Sequence, residues 1–210
     1  MPLIVHRGLV FKVMVHDTNA SDTAPDPDSP GDDDISYSDW QSPAGAVIEA
    51  SIDTKIWPDA LVNSFQQTAP KIFDEILAMH DIAPASVSLC LCDDLHMQQI
   101  NHRHRQIDKA TNVLSFPAYD MRSDKIDPAV PALLGDIVIA AETVVSEAHV
   151  MQIPVADHLM HLFVHGMLHL FGYDHIEDDM AEAMETLEIQ FLAEVGIANP
   201  YQNAQLEGDR

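Results

Sequence analysis

Basic residues are scarce in this sequence. It contains 10 lysines and arginines against 34 acidic residues, which gives a formal net charge of −24 at pH 7. Proteins that bind nucleic acid over a broad surface carry many cations, so this charge argues against such a surface. Any contact with an anion must depend on a few cations that are concentrated in one place.

Cysteines and long apolar runs are also rare. Cys90 and Cys92 are the only two cysteines, too few for a disulfide framework and without the spacing of metal ligands, so we expect reduced residues of a strand. No apolar stretch is long enough to span a membrane, and His6, Arg7 and Lys12 interrupt the first one, so no signal peptide is expected. These observations predict a cytoplasmic protein without a membrane segment.

The few cations are unevenly distributed. Lysine and arginine are absent from residues 13–54 and 126–209, whereas residues 93–125 hold five of them beside five acids. This cluster is either a local anion-binding site on a repelling background or a solvated charged face. Its members are Arg103, Arg105, Lys109, Arg122 and Lys125.

Hydrophobic periodicity predicts an α+β fold with four short strands and about five helices. Pro70 is expected to divide or kink the first helix, and residues 44–52 are ambiguous. The predicted strands are 8–15, 87–91, 112–116 and 135–140, and the predicted helices are 56–80, 94–105, 142–150, 155–170 and 178–195.

Composition divides the chain into four parts. Residues 1–16 carry the first strand of the domain, and residues 40–197 form its main part. Residues 17–39 contain eight aspartates and no cation, which predicts a disordered acidic insertion because such a segment cannot bury enough apolar surface to fold. Residues 198–210 are predicted to be a C-terminal tail.

Three histidines dominate the stretch HGMLHLFGYDH at residues 165–175. On a helix, His169 lies one turn from His165 on the same face. Gly172 is expected to end that helix in a left-handed conformation, so that the chain can return His175 to the same point. Three neutral imidazoles with an open fourth position describe a catalytic zinc site better than a structural one.

The same spacing occurs in metallopeptidases, whose general base is a glutamate directly after the first histidine. Here that residue is Gly166, so the ligands are kept without the peptidase base. His158 and His161 lie on the face of His165 and could contact the ligands or relay protons, but we favour a buried structural role. Asp174 could orient an imidazole or the metal-bound water, or it could bond its own backbone.

Three blocks of this sequence together resemble the YbeY endoribonuclease (rRNA maturation factor) family. They are RQIDKATNVLSFP at 105–117, LGDIVI at 134–139, and the histidine stretch with the EDD that follows it. The chain departs from the family at Ala110, where proline is usual, and at His104, where tyrosine is common. The resemblance extends over residues 87–197 and makes 40–197 the catalytic domain.

This resemblance implies a small mixed four-stranded sheet packed among helices, with a zincin-like helix at the metal site. It also implies a single-strand-specific, metal-dependent endoribonuclease in small-subunit (16S) rRNA 3′-end maturation and ribosome quality control. One Zn²⁺ per chain would be bound by His165, His169 and His175. The family's functional arginine falls on Arg105, with Lys109 nearby as a second substrate-binding residue.

The chemistry of these residues agrees with that implication. A zinc-bound water ionises near neutral pH, and a guanidinium matches a phosphate with two parallel hydrogen bonds. The acidic composition suggests that the ribosome or a small-subunit ribosomal protein presents the RNA. Two alternatives stay open, a zincin-like metallopeptidase and a non-catalytic ribosome-assembly factor with a structural metal.

Overall fold

A computed structural model describes residues 34–120 and 132–202 of the chain. The predicted strand at 8–15 lies outside these ranges, as do residues 17–33 of the predicted insertion. In chain order, the elements are β1 (Ile35–Gln41), β2 (Val47–Asp53), α1 (Asp59–Met79), β3 (Ser86–Cys92), α2 (Asp94–Arg105), β4 (Val113–Pro117), β5 (Leu133–Ala140), α3 (Ala141–Met151), α4 (Val155–Leu170) and α5 (Asp178–Glu194).

The five strands form one mixed sheet in the order β1-β2-β3-β5-β4. The inner pairs β2–β3 and β3–β5 are parallel, and the two edge strands pair antiparallel with their neighbours. Parallel strands are covered on both faces, which explains why seven of the eight residues of β5 are buried. The predicted α+β class is confirmed, but the described sheet has five strands instead of four.

The side chains of β5 separate two hydrophobic cores. Ile137 and Ile139 belong to the larger core with residues of α1, α4 and α5. Val138 and Ala140 belong to the smaller one with Met97 of α2. Because successive residues of a strand point to opposite faces, α2 covers one face of the sheet, and α1, α4 and α5 cover the other.

β1 corrects the predicted boundary of the acidic insertion. Residues 35–39, which we assigned to that insertion, pair with β2. The ambiguous residues 44–52 supply most of β2. The aspartates and serines of β1 suggested disorder, but an edge strand needs little apolar surface of its own, and Trp40 is 2% exposed.

The helices agree with the sequence pattern except at Pro70. Asp93 caps α2, and its Oδ1 accepts a hydrogen bond of 2.7 Å from the backbone N–H of His96. Pro70 is buried inside α1, which is one helix, so it does not divide that element. Among the described helices, none combines the length and apolar character needed to cross a membrane.

Candidate metal centre

The C-terminal end of α4 turns the chain back on itself. The N–H of Tyr173 bonds to the carbonyl of Leu168, and the N–H of Gly172 bonds to that of His169, at 3.1 and 3.0 Å. Gly172 has φ +85°, a left-handed conformation. These are the two bonds of a Schellman motif, so the predicted helix end at Gly172 is confirmed. The reversal returns residue 175 to the last turns of α4.

The structure brings the three predicted histidines together. One ring nitrogen from each of His165, His169 and His175 lies within 4.8 Å of the others. The Nε2 atoms of His165 and His169 are 3.0 Å apart. The ring of His175 lies 5.5 Å from that of His165 and 5.1 Å from that of His169, centroid to centroid. Three imidazoles thus converge on one point at the protein surface, where His175 is exposed.

Two of these imidazoles are oriented by hydrogen-bond acceptors. Nδ1 of His165 donates to Oε1 of Glu188 at 2.7 Å, and Nδ1 of His169 donates to the carbonyl oxygen of Tyr173 at 3.0 Å. An ionised carboxylate and a carbonyl can only accept, so the Nδ1 atoms carry the protons. In the neutral rings, two Nε2 lone pairs therefore face each other.

This arrangement fits a metal ion. Burial, followed by the nearby His165, lowers the pKa of His169 to about 4, which keeps its ring neutral at pH 7. Two facing lone pairs repel each other unless they share a cation, and a metal-bound histidine usually donates its other nitrogen to an acceptor, as here. The three histidines can hold one metal with an open fourth position.

Glu188 is the functional residue that sequence reasoning missed. It is 1% exposed on α5, and its Oε2 accepts hydrogen bonds from Nε2 of His161 at 2.9 Å and from the hydroxyl of Tyr201. Burial raises the pKa of Glu188, but the hydrogen bonds from His161, His165 and Tyr201 more than offset this effect and lower it to about 2. The sequence signal was a carboxylate on the buried stripe of a helix, four residues after Met184.

Several known proteins with a similar sequence carry the same description. A family model described as Endoribonuclease YbeY matches residues 51–196. The Endoribonuclease YbeY of Sinorhizobium medicae is 44% identical over 160 residues, which are 73% of this chain and 94% of that protein. The chain belongs to the YbeY endoribonuclease family. The predicted resemblance to YbeY is therefore confirmed.

The comparisons also include two further relatives described as Endoribonuclease YbeY and one solved structure. The Endoribonuclease YbeY of Rhizobium meliloti is 43% identical over 160 residues, 73% of this chain and 94% of that one. That of Bradyrhizobium diazoefficiens is 50% identical over 121 residues, 58% of this chain and 66% of that one. A solution structure of a Thermotoga maritima protein is 20% identical, with a TM-score of 0.46, and covers 71% of this chain and 87% of its own.

Arg105 and Lys109, which the YbeY resemblance picked out, lie outside the histidine cluster. Arg105 is the last residue of α2, and Lys109 lies in the loop that leads to β4; both are exposed. The ring of His104 lies 5.0 Å from that of Phe116. The end of α2 therefore packs at the end of β4. A Cβ atom added at Gly135 would lie 2.3 Å from the backbone oxygen of Phe116 and 3.0 Å from Cδ2 of Leu170, so β4, β5 and the end of α4 approach closely there.

The loop that carries Lys109 is anchored to α2. Gln106 adopts a left-handed conformation, and its side chain donates to the carbonyl of His102 at 3.2 Å. Nδ2 of Asn101 donates to the carbonyl of Lys109 at 2.6 Å, and Nε2 of Gln98 donates to Asp108 at 2.9 Å. Within the described ranges, no hydrogen bond or ion pair engages the Arg105 guanidinium. The side chains of Arg105 and Lys109 thus extend from a backbone that these hydrogen bonds hold in place.

The remaining histidines of α4 bind carboxylates. His158 is 2% exposed, and its Nε2 lies 2.8 Å from Glu147, which also accepts from Asn112 at 3.0 Å. His161 bonds to Glu188, so it contacts the metal centre through one residue. The carboxylate of Asp174 accepts from the backbone N–H of His175 at 2.7 Å, the local bond that we considered as its alternative role.

Gly166 faces the sheet and not the metal centre. A Cβ atom at this position would lie 3.0 Å from Oγ of Ser115 and 3.1 Å from Cγ2 of Ile137. The helix therefore approaches β4 and β5 too closely for a larger side chain. A glutamate could not occupy this position without moving α4, which counts against the metallopeptidase alternative.

Proposed function

We propose that this chain cleaves single-stranded RNA with one zinc ion held by His165, His169 and His175. Its family makes it an enzyme, an endoribonuclease that hydrolyses phosphodiester bonds and has a role in rRNA processing. The proposed finer role is 3′-end maturation of small-subunit (16S) rRNA and ribosome quality control in the cytoplasm. The observation that carries the zinc proposal is the pair of Nε2 atoms 3.0 Å apart, with both Nδ1 atoms bound to acceptors.

The site divides the chemistry among a few residues. When bound, zinc supplies a Lewis acid and lowers the pKa of a coordinated water to about 7. His165 and His169 direct their Nε2 atoms to the metal position, because their Nδ1–H groups donate hydrogen bonds to Glu188 and to the Tyr173 carbonyl. Arg105 would bind the scissile or an adjacent phosphate, since its planar guanidinium donates two parallel hydrogen bonds to a phosphate. Lys109 would add a second positive charge along the RNA.

We also propose that the ribosome or a small-subunit ribosomal protein presents the RNA. The net charge of −24 repels free RNA, and long-range attraction to the short basic segment around Arg105 is correspondingly weak. A large partner can supply the binding energy that this acidic surface does not provide.

The decisive experiment combines metal analysis of the purified protein with an RNA cleavage assay. Arg105→Ala is expected to keep one zinc per chain and to lose cleavage by about 10²–10³-fold, the usual loss when a charge-stabilising donor is removed. Arg105→Lys should recover only part of the activity, because an ammonium lacks the planar fork. Lys71→Ala, an exposed position on α1, is the matched control.

Three outcomes would contradict the proposal. Full activity of the Arg105→Ala variant would remove Arg105 from the site. Zinc retention by a His169→Ala variant would mean that the metal lies elsewhere. An absence of turnover by the zinc-loaded protein, together with unfolding on chelation, would favour the assembly-factor alternative.

A further inference from the structure

The C-terminal segment after α5 contacts the metal centre through Glu188. Gly196 turns the chain with φ +76°, and the N–H of Tyr201 then bonds to Oδ1 of Asn199 at 2.8 Å. This turn directs the side chain of Tyr201 back to α5, where its hydroxyl donates to Oε2 of Glu188. Tyr201, which we predicted to be part of a tail, thus contacts a residue of the site.

The two oxygens of Glu188 have separate partners. Oε1 accepts only from Nδ1 of His165, at 2.7 Å, among the described residues. Oε2 accepts from Tyr201 and from His161, whose rings pack edge to face with centroids 5.6 Å apart. Since a carboxylate is rigid and planar, fixing Oε2 also fixes the direction of Oε1. Tyr201 and His161 therefore orient the hydrogen bond between Glu188 and His165, although both bind the other oxygen of the carboxylate.

Because the carboxylate is buried, these partners have a large effect. Glu188 is 1% exposed, so water cannot replace a missing donor. A carboxylate that loses one of its donors can rotate, and His165 would then lose the acceptor that sets both its tautomer and its ring orientation. The geometry of the metal ligand would become less well defined.

We propose that Tyr201, together with His161, is a positioning residue for the metal centre. The two residues fix the Glu188 carboxylate, and this carboxylate orients His165. This inference rests on the proposed zinc site. It extends the functional site from α4 and its following loop to the turn after α5. Neither Tyr201 nor Glu188 contacts the substrate in this assignment.

The test measures zinc affinity by competition with a chromophoric chelator, using the full-length chain. Tyr201→Phe removes only the hydroxyl and is expected to weaken zinc binding about tenfold, and Glu188→Gln up to about a hundredfold, the range seen when the partners of metal-bound histidines are removed. Tyr37→Phe removes a hydroxyl from β1, at the opposite edge of the sheet from β4, and should leave the affinity unchanged.

A double-mutant cycle distinguishes positioning from a general loss of stability. If Tyr201 acts through Glu188, then Tyr201→Phe has little further effect on zinc affinity in the Glu188→Gln background. The visible absorption of the Co²⁺-loaded protein should also change in Tyr201→Phe at saturating metal, which a purely structural role would not cause. Unchanged affinity and an unchanged Co²⁺ spectrum in Tyr201→Phe, or additive effects in the cycle, would overturn the proposal.

The failure of the zinc site itself gives a different result. If wild-type protein does not bind zinc, or if His169→Ala binds it as tightly as wild type, the proposed function fails, and this inference with it. If His169→Ala loses zinc while Tyr201→Phe does not, only this inference fails. If Glu188→Gln does not fold, as judged by thermal unfolding without metal, the proposal is tested by the zinc affinity and the Co²⁺ spectrum of Tyr201→Phe without the cycle.

Discussion

Single hydrogen-bond acceptors decide the chemistry of each imidazole in this site. Glu188 and the Tyr173 carbonyl accept hydrogen bonds from the Nδ1–H groups of His165 and His169, so the Nε2 atoms are left to bind a metal. Neither ring has to change its tautomer when a metal ion binds. The cost of ordering these side chains is met during folding, which favours tight binding at neutral pH.

His80 supports the loop that returns to the metal centre. Its ring stacks on Phe171 with centroids 4.2 Å apart and an interplanar angle of 12°, and it also contacts Tyr173. Burial lowers the pKa of His80 below its ordinary value of 6.5. In the unfolded chain His80 takes up a proton near pH 6.5, whereas the folded protein resists this uptake.

The sign of the resulting pH effect follows from linkage. A lowered folded pKa contributes stability above pH 6.5, and this contribution is lost as the pH falls from 6.5 towards the folded pKa. We expect His80→Phe, which keeps the stacking but cannot titrate, to lose less free energy of unfolding than wild type between about pH 7.5 and pH 5.5. Urea unfolding in chelator at both pH values measures this. His149→Phe, at an exposed position of α3, is the matched control for replacing a histidine by phenylalanine.

Histidine spacing predicts the ligands at this scale, but not the residues that orient them. The separation of His165 and His169 is a property of one helix, so periodicity alone places them on one face. Glu188 and Tyr201 lie 23 and 36 residues after His165 in the sequence, and only the packing of α5 on α4 brings them there. A buried carboxylate on an apolar helix stripe was the one available sign of Glu188.

At the scale of elements, the end of α4 positions both a metal ligand and the acceptor that orients another ligand. The Schellman motif directs the Tyr173 carbonyl to His169 and returns His175 to the cluster. A change in this turn should therefore affect both stability and metal binding.

Gly172→Ala tests this coupling. A side chain in a left-handed conformation costs about 1–2 kcal/mol of stability, and Gly172 has φ +85°. We expect the free energy of unfolding in urea to fall by this amount. Zinc binding should also weaken, because the turn moves. Gly45 has φ +98° in the turn between β1 and β2, and a Cβ there meets only Pro84 at 3.8 Å. Gly45→Ala should cost similar stability without changing zinc affinity; equal zinc affinities in both variants would refute the coupling.

Gly166→Ala tests the close approach of α4 to the sheet. The added Cβ would lie 3.0 Å from Oγ of Ser115 and 3.1 Å from Ile137. Overpacking of this kind costs about 1–3 kcal/mol, more than the roughly 1 kcal/mol that alanine gains over glycine in a helix. We expect a net loss in the free energy of unfolding. A variant more stable than wild type would show that α4 can move away from β4.

Element prediction succeeded where local chemistry decides and failed where pairing decides. The bounds of α4 follow from its apolar periodicity and from Gly172, and Asp93 marks the start of α2. β1 was missed because its stability comes from pairing with β2 and from one buried tryptophan, not from its own composition. Pro70 does not divide α1, in which it is one of the buried residues.

The chain combines a strongly acidic composition with three cations, Arg103, Arg105 and Lys109, at the C-terminal end of α2 and in the loop after it. Between 93 and 125 the sequence has five of its ten cations, whereas residues 126–209 have none. Free RNA should therefore bind through few phosphate contacts. Each contact with single-stranded RNA contributes about −0.7 to the slope of log K against log salt.

We expect a shallow salt dependence for the binding of a short single-stranded RNA. Arg105→Ala should reduce the magnitude of the slope by about 0.7, the share of one phosphate contact, while Lys71→Ala, on the opposite face of the sheet from α2, should not change it. Titrations by fluorescence anisotropy over a range of salt concentrations measure the slope. At physiological salt, cleavage of RNA within ribosomal particles should be faster than cleavage of the same sequence free in solution. Equal rates on the two substrates, or a steep slope that Arg105→Ala leaves unchanged, would mean that another surface of the chain binds RNA.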